Sequence, residues 1–406
     1  MHSQQAAPVS VARHGPVTVR GLDAPGRPAP ASGTRLVYLD NLKVGLIAGI
    51  IAAHAINSYT DFGSWAYQPV REVSVSPATE TVFVVVLSFA ALFMMGLFFL
   101  ISGLFTPPAL ERKGIRLFVR DRLLRLGVPF AFTLLLWPLT VYAIREPFRH
   151  LGSYWYWFTH SEPFLDNGPM WFIGVLLIYS LGYATWRALR SRRPPANPRG
   201  ADGRLRARTL VGLGAAIAAT SFVVRLAFPV NSVQVGNPHL WEWPQCLGMF
   251  ALGVVSARRG WLMPVTDRLR RRSGVVALIA AASLPVMILT AERLGLDEHA
   301  YFGGFGWPAL ATAVVEGALA IAACVWVLGF AQRRLDRQRR FGRALARSSY
   351  GAFLVQGAVL IGLALALRPF DLSGEVKALV LAISGVAASF ALAWPLVTRT
   401  GLRRIL

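Results

Sequence analysis

Charge is scarce in this sequence. Only 15% of its 406 residues are Asp, Glu, Lys or Arg, while 54% are apolar. A soluble chain carries roughly a quarter charged residues, so a soluble multidomain enzyme is excluded. Cysteine is scarcer still. Cys246 and Cys324 are the only two, both inside apolar runs, which excludes a disulfide framework and a Cys-based metal site. Acidic residues are few as well, 20 against 42 basic ones, for a net charge of +22. In a soluble protein that excess would point to nucleic acid; in a membrane protein its distribution along the chain decides its meaning. A mean hydropathy of +0.48 places most of the chain in lipid.

Residues 1–34 are rich in Pro, Gly, Ala and Ser. They read as a disordered cytoplasmic tail, without the apolar core or cleavage site of a signal peptide. From Leu42 onward, apolar segments alternate with short polar ones. A helix needs about 20 apolar residues to cross ~30 Å of hydrocarbon. Ten segments qualify: 42–60, 80–104, 126–144, 169–188, 209–228, 242–257, 273–291, 307–330, 348–367 and 375–397. The sixth is the weakest, with Pro244 and Gln245 in its first turn. Of the 42 Lys and Arg residues, 34 fall in alternate segments, namely 1–41, 105–125, 187–208, 258–272, 331–347 and 398–406. Positive charge marks the cytoplasmic side. The expected fold is therefore all-α, a polytopic bundle of about ten transmembrane helices with both termini cytoplasmic. Residues 398–406 form a short basic tail. Orientation and anionic headgroups account for the basic charge, so no nucleic acid partner is needed.

Ionisable groups inside a span are costly and so are functional candidates. His54 and Glu316 stand out. Measured from the outer ends of their spans, they lie at similar depth. A carboxylate beside the imidazole would fix its tautomer; the alternative is two unrelated polar groups, each satisfied by its own neighbours. Lys43 precedes His54 by eleven residues, three helical turns, which is roughly 16 Å along one face. That pair suits a long substrate with an anionic head at the rim and a reactive end at depth, such as an acyl-CoA. It also suits a snorkelling lysine beside a structural histidine. Arg122 and Arg125 share a helix face in a basic connection; they read as a phosphate-binding fork or as an ordinary positive-inside loop. Ser102-Gly103 before Thr106-Pro107 reads as a helix stop. Between the third and fourth spans, Trp155 and Trp157 read as sugar-stacking rings or an interfacial belt, and Glu162 and Asp166 as a weak carboxylate pair. His150, His160, His239 and His299 lack metal-ligand spacing.

Several of these segments together resemble one family. They are Lys-x10-His in the first span, FFLISG before a basic loop with Arg-x-x-Arg, GPMWFIGVLLIYSLGYA, a late intramembrane Glu, and SSYGAFLVQGAVL. Their order and positions over 35–397 are similar to the acyltransferase-3 family of integral-membrane O-acyltransferases. RLVYLDNLKVGLIAGIIAAHAINSY and LFFLISGLFTPPALERKGIRLFVRDRLLRLG look closest to the branch containing glucan succinyltransferases. The resemblance implies a multi-pass protein of the cell (inner) membrane. It assigns His54 as the catalytic histidine, Glu316 as its acidic support, and Lys43, Arg122 and Arg125 as the acyl-donor contacts. Asn57 and Trp171 are the expected acceptor contacts. Where many members carry a histidine in the penultimate span, this chain has Gln356.

The function expected is acyl transfer from a cytoplasmic acyl-CoA to a hydroxyl of a carbohydrate or other acceptor. His54 would act as general base or as a transient acyl carrier. The partners are then the lipid bilayer, acyl-CoA as co-substrate and the acceptor, with no permanently bound cofactor and no metal. A proton-coupled exporter of a glycolipid or polysaccharide unit, and a non-catalytic scaffold, are the other readings.

Overall fold

The computed structural model describes residues 36–62, 65–145, 151–161, 163–190, 205–337 and 340–399. The expected tails lie outside them, apart from Thr398 and Arg399, and so do His150 and Glu162. A backbone in lipid must satisfy its own polar groups, and the described residues form helices and no strands. These are α1 (Val37–Asn57), α2 (Pro77–Arg122), α3 (Val128–Arg145), α4 (Tyr154–His160), α5 (Trp171–Arg190), α6 (Ala207–Ala227), α7 (Trp243–Arg259), α8 (Asp267–Leu294), α9 (Trp307–Arg334), α10 (Arg340–Leu367) and α11 (Gly374–Arg399). Proline opens α2, α7 and α9, in the first turn where a missing N–H costs nothing. Gly260 and Gly295 close α7 and α8 in the left-handed conformation.

Eight helical runs are long and apolar enough to cross a membrane. Each of the ten expected segments overlaps a helix, but two features separate that expectation from the count. Pro77–Arg145 is one run of 69 residues that holds two expected crossings. The sixth expected crossing is α7, whose 17 residues reach only about 26 Å. The helix stop expected at Ser102–Pro107 is also absent. α2 continues through Pro107 and Pro108 and leaves helical geometry only at Gly114 (φ 72°, ψ 165°). A five-residue π turn, Leu123–Gly127, then joins it to α3.

Close helix packing in lipid relies on small residues. α9 is the most enclosed helix, with Ala309, Ala313, Gly317, Ala320, Ala323 and Cys324 all buried. α2 crosses α7 where Gly103 faces Gly253. A Cβ on Gly103 would stand 2.3 Å from the Phe250 carbonyl oxygen, and one on Gly253 would stand 2.2 Å from that of Leu100. α1 packs on α9, α10 and α11. α8 leaves Leu278, Ile279, Val286 and Leu289 exposed, the apolar face expected of a helix in contact with acyl chains.

Candidate active site

α1 ends at Asn57, so His54 stands in its last turn, closer to the helix end than the apolar run suggested. What encloses it is the segment after the helix. Residues 58–62 and 65–76 run past the end of α1 and stack the Trp65 indole on the His54 imidazole, centroids 4.4 Å apart and planes within 11°. Side chains pin this segment. Gln68 Nε2 donates to the carbonyls of Thr60 (2.7 Å) and Phe62 (3.1 Å), and Gln68 Oε1 accepts from Trp65 N. Glu80 Oε1 accepts from the N–H groups of Asp61 and Phe62 at 2.9 Å. Glu72 accepts from Lys377 Nζ (2.6 Å) and from the Tyr67 hydroxyl (2.8 Å). Lys377 is only 2% exposed, so a charge from α11 anchors the flap.

On its other side His54 meets α10. Its Nδ1 lies 3.1 Å from Gln356 Oε1. An amide oxygen only accepts, so Nδ1 carries the proton and Nε2 keeps a lone pair. Gln356 is fully buried, and its amide nitrogen has no hydrogen-bond partner among the described residues. Asn57 Oδ1, one turn beyond His54, is likewise buried without one. A buried polar atom left unpaired costs about 1–3 kcal/mol, so a polar ligand atom would be stabilised at the Gln356 amide nitrogen and at Asn57 Oδ1.

The aromatic wall continues outward. Trp65 contacts Trp137 of α3 at 5.5 Å. Trp137 fits where Gly168, at φ 51°, lacks a side chain, since a Cβ there would stand 2.3 Å from the indole. Trp137 Nε1 donates to Asp166 Oδ2 at 3.1 Å. Asp166 Oδ1 accepts from Gly168 N (3.0 Å) and Asn237 Nδ2 (3.2 Å). Asp166 therefore braces two loops. Beyond them Trp171 stacks on His239 at 4.7 Å, and Trp241 stacks on it at 4.5 Å. Leu165, Asn237 and His239 all take positive φ (58°, 42° and 52°), each at a cost of about 1–3 kcal/mol. Strain of this kind concentrates at functional sites. Burial, with a smaller contribution from nearby His54, pushes the His239 imidazole down to about 3, so His239 is neutral at pH 7.

At the opposite end of α1 stands Lys43, its ammonium 4.3 Å over the Phe105 ring. Arg122 closes α2 with its guanidinium 5.0 Å over Phe118. Arg125 lies in the π turn, and its carbonyl accepts from the Tyr350 hydroxyl of α10 at 2.5 Å. α10 thus touches the basic connection through Tyr350 and His54 through Gln356.

Glu316 pairs with a different side chain from the imidazole expected beside it. Its carboxylate pairs with Arg225 Nη2 of α6 at 2.8 Å, with Arg225 4% and Glu316 1% exposed at the side chain. The structure thus gives Glu316 an arginine partner and His54 a glutamine one. Gly214 and Gly317, where α6 and α9 touch backbone to backbone, bring the ion pair together. Trp155 is exposed on α4, where it reads as an interfacial anchor. Sequence reasoning missed Trp65, Trp137, Arg225 and His239. Trp65 and His239 follow their helices in loops, and only loop closure brings them together.

The acyltransferase domain family, acyltransferase-3, matches residues 36–398. Nothing among curated proteins or solved structures matches the chain.

Proposed function

The chain belongs to the acyltransferase-3 family, and from that premise we propose that it moves an acyl group from a cytoplasmic acyl-CoA to a hydroxyl of an envelope carbohydrate or similar acceptor. The observation that carries the reading is the His54–Gln356 contact. It leaves Nε2 as the basic nitrogen of a ring clamped against Trp65.

In this reading the protein lies in the inner membrane with ten crossings, α4 lying outside the count, and both termini in the cytoplasm. Lys43, Arg122 and Arg125 then face the cytosol and hold the donor's phosphates. The axial distance from Lys43 to His54, roughly 16 Å, is spanned by the pantetheine arm. The acceptor enters past Trp65 and Trp171, with Asn57 Oδ1 taking one of its hydroxyl protons in a hydrogen bond. Nε2 of His54 removes the proton of the reacting hydroxyl as its oxygen attacks the thioester carbonyl. The carbon–sulfur bond breaks, and the departing thiolate takes the proton from Nε2. Such base assistance is worth about 10²–10⁴-fold. The amide N–H of Gln356 is a donor for oxygen that gains negative charge during the attack. The two segments similar to glucan succinyltransferases favour a dicarboxylic donor and a glucan acceptor. No step calls on a resident cofactor.

The test is a panel of acyl-CoA thioesters added to the purified full chain while its thermal unfolding is followed. One thioester is expected to raise the unfolding temperature, and Arg122→Ala/Arg125→Ala to abolish the rise. Equal shifts in wild type and variant would remove the donor assignment.

A further inference from the structure

A second polar site lies away from His54, where α8 begins and α9 ends. Arg270, Phe330, Arg333 and Arg334 line a cavity of about 370 Å³. Arg333 and Arg334 also line a second cavity, of about 570 Å³, with Asp336 and Arg337. Asp267 accepts from Arg333 at 2.5 Å and from Arg270 at 3.4 Å. Together with Asp336, it sets two carboxylates against four guanidinium groups. Arg334 and Arg337 have no ion-pair partner among the described residues, and Arg270 Nε is buried without a hydrogen bond.

The backbone around this charge is strapped. Gln332 Oε1 accepts from Val265 N (2.8 Å), and Gln332 Nε2 donates to the Leu262 carbonyl (2.8 Å). Asn41 Nδ2 of α1 donates to the carbonyls of Leu335 (2.7 Å) and Arg337 (3.0 Å). The stem of Arg270 lies against Gly329, where a Cβ would stand 3.1 Å from its Cγ. The guanidinium groups are thus gathered on held elements, at the end of the bundle that carries Lys43.

An apolar track leads away from the charge. Trp326, Phe330 and Arg334 are spaced four apart on α9, so they follow one face over about 12 Å. Trp326 is 39% and Phe330 43% exposed, and their rings stack at 6.1 Å. A phosphate on the arginines would leave a hydrocarbon chain lying along this track. A soluble anion would use the charge and leave the rings uncovered.

We propose that this pocket binds the phosphate of an anionic phospholipid, with an acyl chain along Phe330 and Trp326. Basic pockets between membrane helices take anionic headgroups in this way. The site is separate from the acyl-transfer centre and does not depend on it.

Native mass spectrometry of the full chain in detergent, with phosphatidylglycerol, phosphatidylcholine or 3′,5′-adenosine diphosphate added, tests the proposal. Phosphatidylglycerol is expected to stay bound where phosphatidylcholine does not. Arg334→Gln/Arg337→Gln should weaken its retention by about tenfold, with helical content and thermal unfolding unchanged. Phe330→Ala, which removes no charge, should also weaken it, and this variant answers if the arginine pair proves unstable. Equal retention of the two lipids, or wild-type retention in both variants, would overturn the proposal. Displacement of the lipid by 3′,5′-adenosine diphosphate would also overturn it, in favour of a soluble phosphate ligand.

Discussion

At the scale of single residues, the buried Arg225–Glu316 pair lets a structural charge be tested against a chemical one. Taking one partner from a buried ion pair costs about 3–5 kcal/mol, whereas replacing both with apolar groups of similar size is often neutral. Glu316→Gln is therefore expected to lower thermal stability sharply. Arg225→Met/Glu316→Met should recover stability and retain acyl transfer. A stable but inactive double variant would instead give Glu316 a part in the reaction. Counting helical rise from the span ends makes Glu316 and His54 look like partners. It does not set which way each helix is turned in the bundle, and that azimuth gives Glu316 to α6. Arg225 stands in the last turn of its helix, where an arginine reads as an interfacial anchor. Gln356 was legible only as a departure from a family pattern, yet it holds the imidazole.

At the scale of elements, the helices follow directly from apolar runs, because lipid leaves a backbone few other choices. The connections are harder to read, since their shape depends on distant partners. The described residues that follow α1 are the clearest case, with Asp61 held by Glu80 of α2 and Glu72 by Lys377 of α11. Burial pushes the Glu72 carboxyl up, but the hydrogen bonds from Lys377 and Tyr67 more than reverse this. Glu72 therefore titrates below its usual range. Its stabilising effect is complete above the ordinary glutamate pKa of 4.5 and is lost as pH falls through the lowered value. Hydrogen exchange of residues 65–72 is expected to be slow at pH 7 and to speed up in acid. In Lys377→Met it should be fast at pH 7 already, and Trp65 should then leave His54. Unchanged protection in that variant would show that the flap is held by other contacts. His239 adds a second acid-sensitive feature. Its pKa is lowered to about 3, so its contribution to stability is full above pH ~6.5 and fades as pH falls toward that lowered value.

At the scale of the whole molecule, two unlike surfaces meet at one imidazole. Lys43 lies near the start of α1, and the connection from α2 to α3 carries Arg122 and Arg125. Elsewhere the fold gathers Trp65 and His239 from two connections with Trp137 of α3 and Trp171 at the start of α5. α1 and α10 connect them, through Lys43 to His54 and through Tyr350 to Gln356. The basic connection is legible in the sequence because Lys and Arg concentrate in alternate segments. The aromatic group is not, because its members are separated by whole helices and come together only when the loops close. The arrangement gives the account one central claim, that His54 Nε2, with its tautomer set by Gln356, handles the proton of the acceptor hydroxyl. The most direct measurement is release of free thiol from acyl-CoA by the purified chain in vesicles, with an envelope carbohydrate fraction as acceptor. His54→Ala should lower the rate by about 10²-fold or more with thioester binding intact, and Gln356→Ala should lower it to a lesser degree. Wild-type turnover in His54→Ala would contradict the claim outright.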